Sequence, residues 1–133
     1  MTPAEKVEHW LDIAEYDLET AAAMQVSGRY LYTVFMCQQA LEKLLKAIYL
    51  QQKGEEAPRT HNLVYLLGLL NLPQQSEHLK LMTSLNTYYL EGRYPAYKQK
   101  LSQLLDQPTA QDFLTKTEEL FKWLRSQLSS NKP

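Results

Sequence analysis

The chain has 133 residues, of which 44% are hydrophobic and 22% charged, and its formal net charge at pH 7 is −1. This length and hydrophobicity predict one folded domain, over residues 1–133, rather than a disordered chain. The balance of charge excludes a strongly basic nucleic-acid-binding surface but allows a local patch. The acidic N-terminal segment is unlike a signal or transit peptide, and no apolar run is long enough to span a bilayer, so we expect a soluble cytoplasmic protein.

The first predicted helix begins with a complete set of start signals. Thr2 is placed to cap it, Pro3 suits its first position, and Glu5 can complete a capping box. Apolar residues then recur at helical spacing until Ser27-Gly28, which ends the helix and turns the chain.

The second predicted helix, over residues 29–53, is the one around which the chain is organised. It contains no glycine or proline, and six of its apolar residues fall on one side: Tyr30, Val34, Cys37, Leu41, Leu44 and Ile48. The other side is a narrow polar strip: Gln38, Gln39, Glu42, Lys43 and Lys46. This pattern predicts a central helix of a bundle, with a buried and inert thiol at Cys37. The strip either lines a polar pocket or faces water, where Glu42 and Lys46 would form an i, i+4 ion pair.

Two further helices follow a loop at residues 54–58. Thr60 is predicted to cap a short helix over residues 61–70, which a proline-containing turn closes. A fourth helix is predicted over residues 75–90, with leucine, methionine and tyrosine on one face.

The helical pattern is interrupted at the start of the last third of the chain. Pro95 disfavours helix at the residue before it, so Arg93-Tyr94 should be extended or turned. A short helical piece is predicted over residues 97–105, a fifth long helix over residues 110–128, and a frayed tail over residues 129–133. No segment alternates as a strand would, so the predicted fold is all-α, an up-and-down antiparallel bundle of about five helices.

The usual catalytic motifs are absent. The chain has no phosphate-binding or dinucleotide-binding glycine motif and no zinc-protease motif, and its histidines and cysteine are scattered, so we predict no metal and no cofactor. His61, beside Arg59, could act as a general base or contact a phosphate, or it could simply hydrogen-bond within the first turn of its helix. The tyrosines around Arg93 could stack on a base beside a guanidinium that binds phosphate, or could pack their rings inward.

Four blocks of sequence resemble the HEPN family, the higher eukaryotes and prokaryotes nucleotide-binding domain, in its minimal prokaryotic type. The blocks are Tyr16-Asp-Leu-Glu-Thr-Ala21, Gln39-Ala-Leu-Glu-Lys-Leu-Leu-Lys-Ala47, Arg59-Thr-His-Asn-Leu63 and Tyr89-Leu-Glu-Gly-Arg-Tyr-Pro95. The resemblance covers about residues 4–128. It implies an up-and-down helical bundle, a homodimer, and a companion minimal nucleotidyltransferase in a toxin–antitoxin pair. Many members of the family are ribonucleases.

One departure from the family pattern concerns catalysis. Ribonuclease members have an arginine followed, after four to six residues, by a histidine. Arg93 resembles that arginine, but the positions for the histidine hold Lys98, Gln99 and Lys100. The resemblance therefore favours a nucleotide- or RNA-binding module over an enzyme. The alternative is a metal-independent endoribonuclease toxin with a non-standard site, in which His61 is the base, and a third hypothesis is a purely structural helical adaptor.

The candidate ligand-binding residues come from the polar strip, the start of the third helix and the Arg-Tyr-Pro block: Gln39, Glu42, Lys43, Lys46, His61, Arg93 and Tyr94. Five of them are predicted to line one polar cleft, which a dimer could share: Glu42, Lys46, His61, Arg93 and Tyr94. Two cations beside one acid would suit a phosphate. The alternative is an internal Glu42–Arg93 salt bridge that only locks the turn.

Overall fold

The computed structural model describes residues 1–130, apart from the side chains of residues 95, 97, 98, 129 and 130. Within this range the chain forms six helices and no strand: α1 Pro3–Val26, α2 Tyr30–Lys53, α3 Leu63–Gly68, α4 Ser76–Glu91, α5 Pro95–Leu104 and α6 Gln107–Ser130. The prediction of an all-α helical bundle is therefore confirmed. There are six helices rather than about five, because the short helical piece predicted over residues 97–105 forms a helix of its own, α5. None of these helices is both long and apolar enough to cross a membrane.

The first two helices form a hairpin with the most extensive contact in the bundle. The predicted capping box of α1 is present: Thr2 Oγ1 accepts from the Glu5 backbone N–H, and Glu5 Oε1 accepts from the Thr2 N–H, both at 3.2 Å. At the other end Gly28 adopts a φ of 77°, which favours glycine and lets the chain reverse.

Helix α2 lies at the centre and contacts every other helix. Its buried side chains lie on most of its circumference, and the apolar side contributes fully buried residues such as Leu41, Leu44 and Ile48. Cys37 is buried among them, and burial raises the pKa of its thiol to about 12. The predictions of a central α2 and a buried thiol are both confirmed, and the inertness of that thiol stays a prediction.

The third helix is shorter than predicted. It begins at Leu63, because the Asn62 side chain rather than Thr60 caps it: Asn62 Oδ1 accepts from the Tyr65 backbone N–H at 3.1 Å. Thr60 Oγ1 instead accepts from the Asn62 N–H, also at 3.1 Å. His61 is therefore not in the helix but in the chain that leads into it.

The corner between α4 and α5 brings the end of α4 close to α2. Tyr94 is extended, with φ −99° and ψ 130°, as the following Pro95 predicts. A Cβ at Gly92 would lie 2.1 Å from Phe35 Cζ, so only glycine allows this close approach of α4 to α2.

The last helix begins three residues earlier than predicted. Asp106 Oδ1 accepts from the Thr109 backbone N–H at 3.0 Å, so Asp106 acts as the N-cap and Pro108 falls in the first turn. The helix continues to Ser130, two residues beyond the predicted end, and the rest of the predicted frayed tail, residues 131–133, lies outside the described residues.

Candidate functional site

The centre of the polar strip is a buried carboxylate with three partners. Glu42 is only 4% exposed, and its Oε2 accepts from Lys46 Nζ at 3.0 Å. Its Oε1 accepts from Gln38 Nε2 at 3.1 Å and lies 2.8 Å from His61 Nδ1. The interpretation of Glu42 and Lys46 as a solvated surface pair is therefore wrong, because the chain leading into α3 covers this part of α2.

The partners of Glu42 keep its carboxylate ionised. Burial by itself raises the pKa of Glu42, but the hydrogen bonds from His61, Lys46 and Gln38 outweigh burial and hold the pKa below its ordinary value. Because an ionised carboxylate only accepts hydrogen bonds, the His61 Nδ1 facing it must carry a hydrogen. In neutral His61 the lone pair is then on Nε2, at the outer end of a side chain that is 47% exposed.

Gln38 holds this pair in place and was not among the predicted site residues. It is fully buried, and besides Glu42 its Nε2 also donates to the His61 backbone carbonyl at 2.8 Å. A single amide thus binds α2 to the chain before α3. Its position one helical turn before Glu42 on the polar strip was the signal that could have identified it.

Tyr89 of α4 is the second residue that sequence reasoning left out of the site. Its hydroxyl accepts from Gln39 Nε2 at 2.8 Å, and its ring centroid lies 5.3 Å from that of His61. The guanidinium carbon of Arg93 lies 5.9 Å from the same ring centroid. Tyr89 also packs edge-on against Phe35, so its ring is turned inward while its hydroxyl takes part in the polar network.

The two strip lysines are neutralised inside the protein. Lys43 forms an ion pair with Asp17 of α1, a buried carboxylate, and donates to Gln39 Oε1 at 3.1 Å. Lys46 is paired with Glu42, and its ammonium lies 5.8 Å from the ring centroid of Trp10. Of the two cations predicted to give the cleft a positive bias, Lys46 and Arg93, the first is therefore neutralised by Glu42.

Arg93 and Tyr94 lie at the exposed corner after α4. The alternative of a Glu42–Arg93 salt bridge is wrong, because Glu42 is occupied by Lys46 and His61. Among the described residues no carboxylate pairs with Arg93, whose guanidinium lies over Tyr89. Tyr94 is 63% exposed.

A cavity of about 290 Å³ opens beside this cluster, between the chain leading into α3 and the end of α4. It is lined by Thr60, His61, Asn62, Asn86, Tyr89 and Leu90. Of the five residues predicted to line a cleft, His61 is the one that lines this cavity. Glu42 contacts the His61 ring, and Lys46 is paired with Glu42. Arg93 contacts Tyr89, which is another lining residue. Whether any of the candidate residues binds a ligand stays a prediction.

The arrangement has a clear chemical capacity. The buried Glu42 carboxylate holds Nδ1 of the His61 imidazole, so Nε2 points away from the carboxylate. A histidine oriented in this way can act as a general base or as a fixed hydrogen-bond acceptor. The Arg93 guanidinium, which lies over Tyr89 and pairs with no carboxylate of the described residues, can bind a phosphate.

The fold and this cluster define a class of small all-α domains built around one central helix with a buried polar network. The chain belongs to the HEPN domain family, whose model matches residues 7–127. A comparison with curated protein sequences finds no match.

Three solved structures share the fold. The protein TT1696 from Thermus thermophilus is 20% identical, with a TM-score of 0.77 over 91% of this chain and 97% of its own. ST0689, described as an archaeal HEPN homologue, is 27% identical, with a TM-score of 0.74 over 92% and 97%. The HEPN domain protein TM0613 from Thermotoga maritima is 24% identical, with a TM-score of 0.70 over 91% and 98%.

Proposed function

We propose that this chain is a nucleotide- or RNA-binding module. In this proposal it is a cytoplasmic homodimer that acts with a nucleotidyltransferase-type protein, as one half of a toxin–antitoxin-type pair. Membership of the HEPN family supports the general class. The observation that carries the proposal is the convergence of His61 and Arg93 on the single ring of Tyr89, next to a cavity.

Charge supports a phosphate at Arg93 rather than at the strip lysines. Lys43 and Lys46 already have carboxylate partners, whereas Arg93 has none among the described residues. A guanidinium held over an aromatic ring keeps its planar donor edge available for bidentate contact with phosphate oxygens.

Replacing Arg93 tests ligand binding. Arg93→Ala should weaken binding of a nucleoside monophosphate or a short RNA while the melting temperature stays unchanged, because the side chain is exposed and forms no ion pair in the described chain. Lys122→Ala, which removes an exposed positive charge from α6, is the control. Equal binding by wild type and Arg93→Ala would remove Arg93 from the site.

The partner is tested by affinity purification from the native host. We expect a nucleotidyltransferase-type protein to be recovered with the chain in constant proportion, and size-exclusion chromatography with light scattering to give twice the mass of one chain. Consistent recovery of the chain alone, or a monomeric mass, contradicts that part of the proposal.

A second candidate function, a metal-independent endoribonuclease, is favoured by the Glu42–His61 pair. In that reaction His61 Nε2 removes the proton of a ribose 2′-hydroxyl, whose oxygen attacks the adjacent phosphorus. The bond from phosphorus to the 5′-oxygen breaks and a 2′,3′-cyclic phosphate forms. The departing 5′-oxygen takes a proton from water, His61 returns its proton to solvent, and Arg93 stabilises the phosphorane charge.

The ribonuclease hypothesis is tested by incubating RNA with pure protein. Cleavage should require His61, and products should end in cyclic phosphate. Glu42→Gln should lower the rate, because it removes the charge that orients the imidazole. RNA that stays intact after long incubation, or cleavage that persists in His61→Ala, excludes this mechanism.

A further inference from the structure

We infer that the chain binds a single strand of RNA, which extends from the cavity at Tyr89 to a second, larger cavity at the start of α2. This inference rests on the proposed nucleotide- or RNA-binding function, and it makes the ligand an oligonucleotide rather than a mononucleotide. The second cavity has a volume of about 490 Å³ and lies between the start of α2 and α5. Tyr32 and Gln99 are in its lining, and of the described residues there only Arg29 is charged.

A continuous row of aromatic rings joins the two cavities. Tyr32, which lines the larger cavity, packs edge-on against Phe35 with ring centroids 5.8 Å apart. Phe35 packs edge-on against Tyr89, also at 5.8 Å, and the Tyr89 centroid lies 5.3 Å from that of His61. Tyr89 and His61 both line the smaller cavity. The two end rings of the row are accessible, since Tyr32 is 38% exposed and the His61 side chain 47%.

The row has an arginine at each cavity. Arg29 lines the larger cavity, and the guanidinium carbon of Arg93 lies 5.9 Å from the ring centroid of Tyr89. Among the described residues, no carboxylate pairs with either guanidinium. Residues 28–41 and 93–105, which include the first half of α2 and all of α5, contain four basic residues and no acidic one. Although the net charge of the chain is −1, this surface is therefore locally positive and suits a phosphate backbone.

Rings with cations beside them favour a single strand over a duplex. Unpaired bases stack on aromatic side chains while guanidinium groups contact the phosphates, whereas a duplex keeps its bases paired and away from the rings. The span also suits a short strand. The Tyr32 and Tyr89 rings are separated by two ring-to-ring steps of 5.8 Å, and a stacked strand advances about 3.4 Å per nucleotide. A strand of about four nucleotides can therefore reach both cavities.

The test is a fluorescence anisotropy titration of the full chain with a labelled oligouridylate of about eight nucleotides, and with the dinucleotide UpU as a competitor. We expect the longer strand to bind at least about tenfold more tightly than UpU, because it occupies both cavities and stacks more bases. A fully base-paired RNA duplex should bind more weakly than the single strand, because its bases cannot reach the rings.

Arg29→Ala isolates the larger cavity. The Arg29 side chain is exposed, so the melting temperature should stay unchanged. The variant should lose most of the gain in affinity with length but should bind UpU like the wild type. For the longer strand, the slope of log affinity against log salt should become shallower by about 0.7, the value for one phosphate contact in a single strand. Lys53→Ala removes an exposed positive charge from the other end of α2 and should change none of these quantities.

Tyr32→Leu tests the row of rings. It retains an apolar side chain against Phe35 but removes the ring, so the affinity for the longer strand should fall at least about fivefold, the effect of losing one stacked base. Binding of UpU should not change. Tyr16→Leu makes the same substitution at a 71% exposed position on α1 and is the control.

The outcomes separate this inference from the function on which it rests. The inference is overturned by equal affinity for the two strand lengths, by the same gain with length in the wild type and both variants, or by equal binding of duplex and single strand. Weaker binding of UpU by Arg93→Ala would still support the proposed function in each of these cases. If neither UpU nor the longer strand binds the wild type, both the function and the second cavity are wrong.

Discussion

The buried Glu42 carboxylate allows a quantitative prediction about stability. Glu42→Gln has nearly the same shape but removes the charge that balances Lys46, whose side chain is only 12% exposed. Breaking a buried pair in this way costs about 3–5 kcal/mol. Because the Lys46 ammonium also lies near Trp10 and retains some access to solvent, we expect the lower end, about 3 kcal/mol.

Urea denaturation followed by circular dichroism measures this loss, and a thermal scan should show the melting temperature falling by roughly 10 °C for a domain of this size. Asp112→Asn is the matched control. Asp112 and Lys116 form the same i, i+4 pair at 2.9 Å, but with side chains 61% and 59% exposed, so the control should melt like the wild type. A loss below about 1 kcal/mol for Glu42→Gln would refute the view that burial makes this pair important.

The pH dependence has a defined sign. The pKa of Glu42 is lower in the folded chain than its ordinary value of 4.5, so the folded state favours the ionised form. The stability due to this ionisation is therefore fully present above pH 4.5 and is lost as the pH falls through the lowered pKa. The difference in free energy of unfolding between wild type and Glu42→Gln should be constant near neutral pH and should shrink in acid. A difference that grows in acid would contradict the lowered pKa.

Three further predictions concern positions around the site. Gly92→Ala should destabilise the chain by about 1–3 kcal/mol because its methyl group would overlap Phe35, and Phe35→Ala in the same chain should recover part of the loss; no effect in urea denaturation would contradict the close approach. Gln38→Ala should cost about 1–3 kcal/mol, because it removes a fully buried amide that donates to the Glu42 carboxylate and to the His61 carbonyl. The loss is measured in the same way, and a neutral result would mean that water replaces the amide. Cys37 should resist iodoacetamide at about pH 8 until denaturant is added, because burial suppresses formation of the thiolate. Labelling is followed by mass spectrometry, and stoichiometric labelling of the folded chain would show that the thiol is accessible.

Local sequence signals determined the helices and the centre of the bundle. The capping box at Thr2 and Glu5 marked the start of α1, and the proline after Tyr94 marked the extended corner, because both effects act within a few residues. The spacing of apolar residues in α2 identified its buried side for the same reason. The cap of α3 was predicted at Thr60, but the structure has Asn62 in that role. The hydrogen bond from Asn86 of α4 favours Asn62 as the cap.

The composition of the site was decided by tertiary structure. Periodicity placed Gln38 and Glu42 on the polar strip, but it could not show that the chain before α3 covers that strip and converts an apparent surface ion pair into a buried network. Nor could it show that Lys43 is neutralised by Asp17 from another helix, which leaves Arg93 as the cation without a carboxylate among the candidate residues that the structure describes. Helical spacing specifies which side chains share a face, whereas the charge, protonation and accessibility of that face depend on residues distant in sequence that pack against it.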